Sequence, residues 1–287
     1  MSGRLDPGIC SVNRQPLEYR MKILVCFKAA PNVEMLLEED WVIDETLQVD
    51  TSFVKSSLSS YDESALEMAL KLSDASDTLA IPLELNALTV DNGGATAILK
   101  TLSALQFGKV TRIEPQGGLH FQPTTMASII SQYILHHDPQ DVVLLGRQSD
   151  IGENAKTPLL TAEMLGWPCI TQAIRIELVD DKQLMVTHQV DDGHIRERVC
   201  MPCVISVGDS PCTYLRVPTL KDRLHYGKKA IDVLSAKDFQ LPAETETLIG
   251  LEVLNHKRTG VIIQGENPAD KARVLYEEYL KPVLSRR

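Results

Sequence analysis

Between Asp141 and Pro168 the chain reads DVVLLGRQSDIGENAKTPLLTAEMLGWP, a short apolar run, a polar loop and a helix start in direct succession. Val142-Val143-Leu144-Leu145 has the length and side-chain types of a buried parallel strand. Gly146-Arg147-Gln148 breaks that run, Ser149 to Lys156 is polar, and Thr157-Pro158 opens a helix that ends near Gly166. A strand that leads through a loop into a helix N-terminus presents free backbone N–H groups and the positive end of a helix dipole. The chemistry open to it is the holding of an anion, and a phosphate-bearing ligand is the first expectation. Every α/β fold contains several such junctions and most bind nothing, so the junction alone identifies no ligand.

Other reactive side chains form no constellation. The cysteines are Cys10, Cys26, Cys169, Cys200, Cys203 and Cys212, and only Cys200-Met201-Pro202-Cys203 is suggestively spaced. A zinc site needs a second close pair of ligands, which is not visible, and the surroundings read as strand, where positions three apart face opposite sides. Reduced, core-filling thiols are expected, which fits a cytoplasmic protein without a metal. Phosphate-loop, dinucleotide, zinc-protease and nucleophile-elbow patterns are all missing. Gly93-Gly94 and Gly117-Gly118 read as turns, and His136-His137 closes a helix before Asp138-Pro139. Carboxylates are plentiful but none is marked as a paired acid and base. A binding or carrier role is expected, with no autonomous catalytic site.

The elements that must position the loop follow from periodicity. Lys22 to Phe27 is a first, central strand. Tyr61, Ala65, Leu66, Ala69 and Leu72 give a helix with a capping box at Ser60–Glu63. A strand ending at Val90, a helix to about Gln106, a strand at Val110–Ile113 and a helix from Pro123 precede Val142. A short hairpin is expected around Trp41-Val42-Ile43. The alternation implies an α/β fold, a mostly parallel, doubly wound, Rossmann-like sheet. Cys169–Leu178, Leu184–Val190 and Ile195–Val199, separated by Asp-rich turns, predict an antiparallel meander, and Val204–Val207 a last buried strand. Leu248–Leu254 is a further strand-like run, and Pro268 to about Leu284 a closing helix with Ala269, Ala272, Val274, Leu275, Tyr279 and Leu280 on one face. The expected organisation is a disordered extension over 1–20 with no secretory signal, an α/β domain over 21–237, and a linker with a C-terminal arm over 238–287. That arm is too small to bury much alone and should pack on the domain or on a partner. The formal charge of −10, with basic residues clustered no further than pairs, argues against nucleic acid. Apolar runs fall far short of the ~20 residues of a membrane span.

Four separated stretches resemble one family, the beta (small) subunit of electron transfer flavoproteins. Met21-Lys22-Ile23-Leu24-Val25-Cys26-Phe27-Lys28 is similar to its first strand, which ends in lysine. Val54-Lys55 with Ser59-Ser60-Tyr61-Asp62-Glu63-Ser64-Ala65-Leu66-Glu67 resembles V-K-x-S-M-N-P-F-D-E-x-A-x-E. Leu144-Leu145-Gly146-Arg147-Gln148, Thr157 and Gly166-Trp167-Pro168 resemble L-L-G-K-Q, Q-T-G and L-x-W-P at matching separations. Tyr214-Leu215-Arg216-Val217-Pro218-Thr219-Leu220, with Lys228-Lys229 beyond, resembles the segment with which the family recognises its partners.

The resemblance implies an adenine-nucleotide-binding fold in a heterodimer with an alpha subunit that holds most of the FAD. It implies AMP in this chain, or a second FAD in electron-bifurcating relatives, and a flavoprotein dehydrogenase docked through Asp209–Leu220. The implied nucleotide contacts are Cys26, Ser59, Ser60, Tyr61, Asp62, Val90, Gln148 and the loop Ser149, Asp150, Ile151, Gly152, Glu153, Asn154, Ala155, Lys156 and Thr157. Departures from the pattern mark a divergent branch: Ser59-Ser60-Tyr61 replaces N-P-F, and Lys156-Thr157-Pro158 replaces Q-T-G. Pro158 removes one N–H donor near the phosphate, a loss that the charge of Lys156 is placed to offset. A stand-alone nucleotide-binding regulatory protein of the same fold is the alternative from another class.

Overall fold

The computed structural model describes residues 20–115, 117, 121–211, 214–242, 248–253 and 260–284. The first strand, β1 (Met21–Cys26), leads through β2 (Ala29–Pro31) and β3 (Ser56–Leu58) to helix α1 (Ser60–Leu79). Then come β4 (Leu83–Val90), α2 (Thr96–Ala104), β5 (Lys109–Glu114), α3 (Pro123–Gln132), β6 (Val142–Gly146) and α4 (Thr157–Leu165). The rhythm changes with β7 (Cys169–Leu178), β8 (Gln183–Val190), β9 (Gly193–Cys200) and β10 (Cys203–Val207), followed by α5 (Leu220–His225) and β11 (Asp232–Ser235).

Among the described residues one large sheet has the order β11-β5-β4-β1-β6-β10-β7-β8-β9. It is parallel from β11 to β7, and β8 and β9 continue it antiparallel as the meander. The expected α/β, mostly parallel, doubly wound class is what is found. Its cause is visible in β1, whose successive side chains enter different cores. Met21, Ile23 and Val25 pack with Leu66 and Ala69 of α1 and Leu99 of α2. Leu24 and Cys26 pack with Ile129 and Ile130 of α3 and Ala162 of α4. A strand buried on both faces has no polar alternation, which is why MKILVC reads as a continuous apolar run.

Several local expectations are corrected. The cap of α1 lies one residue earlier than the Ser60–Glu63 box: the Ser59 hydroxyl accepts the Asp62 N–H at 3.1 Å, and Ser60 is the first helical residue. Two adjacent serines offer the same hydroxyl, and the earlier start places Asp62, Leu66 and Ala69 toward the sheet. The hairpin near Trp41 reduces to a single bridge, Ile43 to Val49, around a turn in which Asp44 accepts from Thr46 and Gln48. Cys200 and Cys203 sit on different strands, the first exposed and the second buried. The expected strand at Leu248–Leu254 is not formed over residues 248–253, and Leu254 lies outside the described residues. A strand without a ladder partner leaves its backbone groups to water, so apolar composition alone does not make one. The two-stranded pairing of β2 with β3, and β11 at the sheet edge, have no counterpart in the sequence reading; both are short.

Contacts divide the chain into two compact units, 1–249 and 250–287. The second contains α6 (Pro268–Val274), capped by Asn267, then a π-helical stretch, Leu275–Leu280, and a last turn, α7 (Lys281–Leu284). Among the described residues no helix is long and apolar enough to cross a membrane.

Candidate functional site: a crevice at the carboxyl ends of the central strands

From β1 the chain moves outward through β4 and β5, then returns to place β6 on the other side of β1. Such a reversal leaves a crevice beyond the carboxyl ends of the two strands, the usual ligand position in open α/β sheets. A crevice of about 780 Å³, its open mouth included, lies there. Its floor is three strand ends, Cys26-Phe27-Lys28, Leu88-Thr89-Val90 and Leu145-Gly146-Arg147. Pro123, Met126 and Ile130 of α3 form an apolar wall, and Gln148, Ser149, Ile151, Asn154, Ala155, Thr157 and Pro158 form the opposite rim.

The first turn of α1 closes the crevice from below. A side chain at Gly146 would put its Cβ 2.6 Å from Asp62 Oδ1 and 2.9 Å from the Asp62 nitrogen, so only glycine lets the helix start this close to β6. The Asp62 carboxylate, 4% exposed, accepts from the Lys28 N–H at 3.4 Å and from the Ser59 hydroxyl at 3.0 Å. Burial pushes its pKa up to about 7, against the pull of these donors and of the Gly146 N–H. The Lys28 ammonium lowers onto the rim and donates to the Ile151 carbonyl at 2.8 Å. Burial depresses its pKa, while Asp62 and Asp150 partly restore it. Burial also raises the Cys26 thiol, which makes it a floor group with little thiolate character.

The rim is shaped by left-handed residues. Gly152 (φ 97°), Glu153 (φ 32°) and Ala155 (φ 52°) take positive φ, and Lys156 returns to right-handed geometry before α4 begins without a side-chain cap. The loop is tied internally by Ser149 Oγ donating to Ile151 O at 2.7 Å and by Lys156 N donating to Asn154 Oδ1 at 3.0 Å. On the floor, the Thr89 hydroxyl is buried without a hydrogen-bond partner among the described residues. An apolar slot, an ammonium group, an unanswered hydroxyl and a helix N-terminus together suit a flat heterocycle carrying phosphate.

Of the residues implied by resemblance, Cys26, Asp62, Val90, Gln148, Ser149, Ile151, Asn154, Ala155 and Thr157 line the crevice. Ser59 stands behind Asp62 as the helix cap, with its hydroxyl 3.4 Å from the Gln148 carbonyl. Ser60 and Tyr61 lie in the first turn of α1 outside the lining, Tyr61 hydrogen-bonded to Asp209. Asp150, Gly152, Glu153 and Lys156 belong to the rim loop without lining the cavity, and Asp150, Glu153 and Lys156 are exposed. Phe27, Lys28, Thr89, Met126, Ile130 and Arg147 also line the crevice though they are not among the implied contacts, and Pro158, expected near the phosphate for its missing N–H, lines it too. Lys28, Thr89 and Arg147 adjoin residues already singled out at strand ends, a position that signals them. Met126 and Ile130 repeat at helical spacing and give no such signal.

A model of the electron transfer flavoprotein domain matches residues 46–238 of this chain. The chain is 32% identical to a protein of Escherichia coli described as "Putative electron transfer flavoprotein subunit YgcR", over 91% of this chain and 98% of that protein. It is 27% identical to the mitochondrial electron transfer flavoprotein subunit beta of Arabidopsis thaliana, over 85% of this chain and 93% of that one. With the electron transfer flavoprotein subunit beta of Bos taurus it shares 25% identity over 75% of this chain and 83% of the relative.

Proposed function

Because this chain belongs to the electron transfer flavoprotein family, we propose that it is a beta-type subunit that binds AMP in the crevice and works as an electron carrier beside an alpha subunit. The observation that carries the ligand assignment is the join of an apolar slot and an ammonium at one switch point. Adenine enters between Val90, Met126 and Ile130, and the phosphate meets Lys28 and the N-terminal end of α4. The nucleotide undergoes no reaction there. The FAD that carries electrons is held mainly by the alpha subunit, and this chain contributes binding and docking.

The segment Asp209–Leu220 meets the flavoprotein dehydrogenase. Its described residues before α5, 209–211 and 214–219, are irregular, and Tyr214, Val217 and Leu220 are 80%, 76% and 74% exposed. The linker and arm, 238–287, pack on the alpha subunit, and the complex works in the cytoplasm. Co-expression with the alpha subunit and release of the bound small molecules tests this assignment. One FAD and one AMP per heterodimer supports it, two FAD would replace AMP by a flavin as in bifurcating relatives, and a nucleotide-binding homodimer without an alpha partner would overturn it.

A further inference from the structure

We infer that Arg216 is the positioning residue of the Asp209–Leu220 segment, fixing its exposed apolar side chains relative to the nucleotide crevice through helix α1. This inference rests on reading that segment as the dehydrogenase-docking surface.

Glu67 lies on the side of α1 covered by Arg216 and is 6% exposed. A carboxylate in that place is costly unless it is paired and fully hydrogen-bonded. Arg216 supplies the pairing: its backbone N–H donates to Glu67 Oε2 at 3.0 Å, and its Nε and Nη2 donate to Oε1 at 3.0 Å and 2.8 Å. The same Nη2 lies 2.9 Å from Asp74 Oδ2, two turns further along α1. Main chain and side chain of one residue are therefore fastened to one helix. The planar fork of arginine meets both acids, and a lysine offers only a point charge.

The neighbouring residues divide around this fixture. Leu215 packs against the core and its N–H donates to Glu63, while Pro218 is buried. Tyr214, Val217 and Leu220 are left outside. The described residues 208–211 and 214–219 form no helix or strand, so the Arg216 contacts fix which of their side chains face out. Glu67 lies five residues beyond Asp62, about 7.5 Å along the helix axis. One rigid helix thus carries both a wall of the crevice and the anchor of the docking segment.

The test uses the assembled heterodimer with Arg216→Lys, Arg216→Ala and the paired change Arg216→Met with Glu67→Met. The paired change guards against misfolding, because replacing both charges by apolar side chains leaves no buried ion behind. Amide hydrogen exchange across residues 214–220 is expected to accelerate about tenfold or more in the paired variant, with exchange in β1, β4 and β6 and the nucleotide content unchanged. For the dehydrogenase that reduces the wild-type heterodimer, KM for the heterodimer is expected to rise about tenfold with kcat retained, and Arg216→Lys to fall between. Unchanged exchange at 214–220 in the paired variant overturns the positioning role. Faster exchange with an unchanged KM leaves the anchor standing and removes the docking assignment instead.

Discussion

At the level of single residues the crevice depends on how a buried acid is kept beside a backbone that admits no side chain. Asp62 holds its proton up to about pH 7 in the folded protein, against 3.8 for the free side chain. Between those values the folded state binds more protons than the unfolded one, so stability falls as pH rises through the window and levels off above it. The full excursion corresponds to about 4 kcal/mol for a shift of this size at 1.36 kcal/mol per pH unit. Asp62→Asn keeps a carbonyl acceptor for the Lys28 and Gly146 N–H groups and removes the titration. Melting temperatures taken from pH 4 to 8 should slope downward in the wild type and run nearly flat in the variant; equal slopes would place the linkage elsewhere. Gly146→Ala drives a methyl into Asp62 and its backbone, and a loss of about 1–3 kcal/mol is expected in denaturant unfolding, the usual cost of overpacking. Lys28→Gln removes the ammonium from the crevice while keeping a donor for Ile151. AMP affinity should drop by about 1–3 kcal/mol in calorimetry, with adenosine affinity changed far less.

Among the elements, α1 is the one that joins both halves of the proposed activity, through Asp62 at its start and Glu67 and Asp74 along its length. Arg216→Ala alone leaves Glu67 buried without its counter-ion, and a loss of about 3–5 kcal/mol is expected in thermal or denaturant unfolding. A smaller effect than that of Gly146→Ala would mean that water reaches Glu67 once the arginine is gone. The sheet was readable from sequence because strands buried on both faces print unbroken apolar runs, MKILVC and VVLLG among them, between amphipathic helices. The meander was readable because Asp180-Asp181-Lys182 and Asp192-Gly193 supply turn chemistry at the right spacing. The crevice wall was not. Met126 and Ile130 sit at i and i+4 in α3, and a helical stripe looks the same whether it meets a core or a cavity. Nor could one sequence decide between Ser59 and Ser60 as the cap, since the choice is made by where α1 meets Gly146. The Arg216–Glu67 pair spans 149 positions and leaves no local trace.

The whole chain carries a net charge of −10, and its large sheet is finished at both edges by short or charged strands, β11 and β9. Neither feature by itself points to electron transfer. The family assignment comes from the match over residues 46–238, and the physical content of the assignment comes from the crevice. The central claim is that this crevice holds AMP in a heterodimer whose only flavin belongs chiefly to the alpha subunit. The most direct measurement is the small-molecule inventory of the purified heterodimer, released by denaturation and quantified by chromatography and mass. One AMP and one FAD per heterodimer are predicted, with AMP lost first in the Lys28→Gln variant. A heterodimer that retains FAD but contains no adenine nucleotide in this chain would contradict the account.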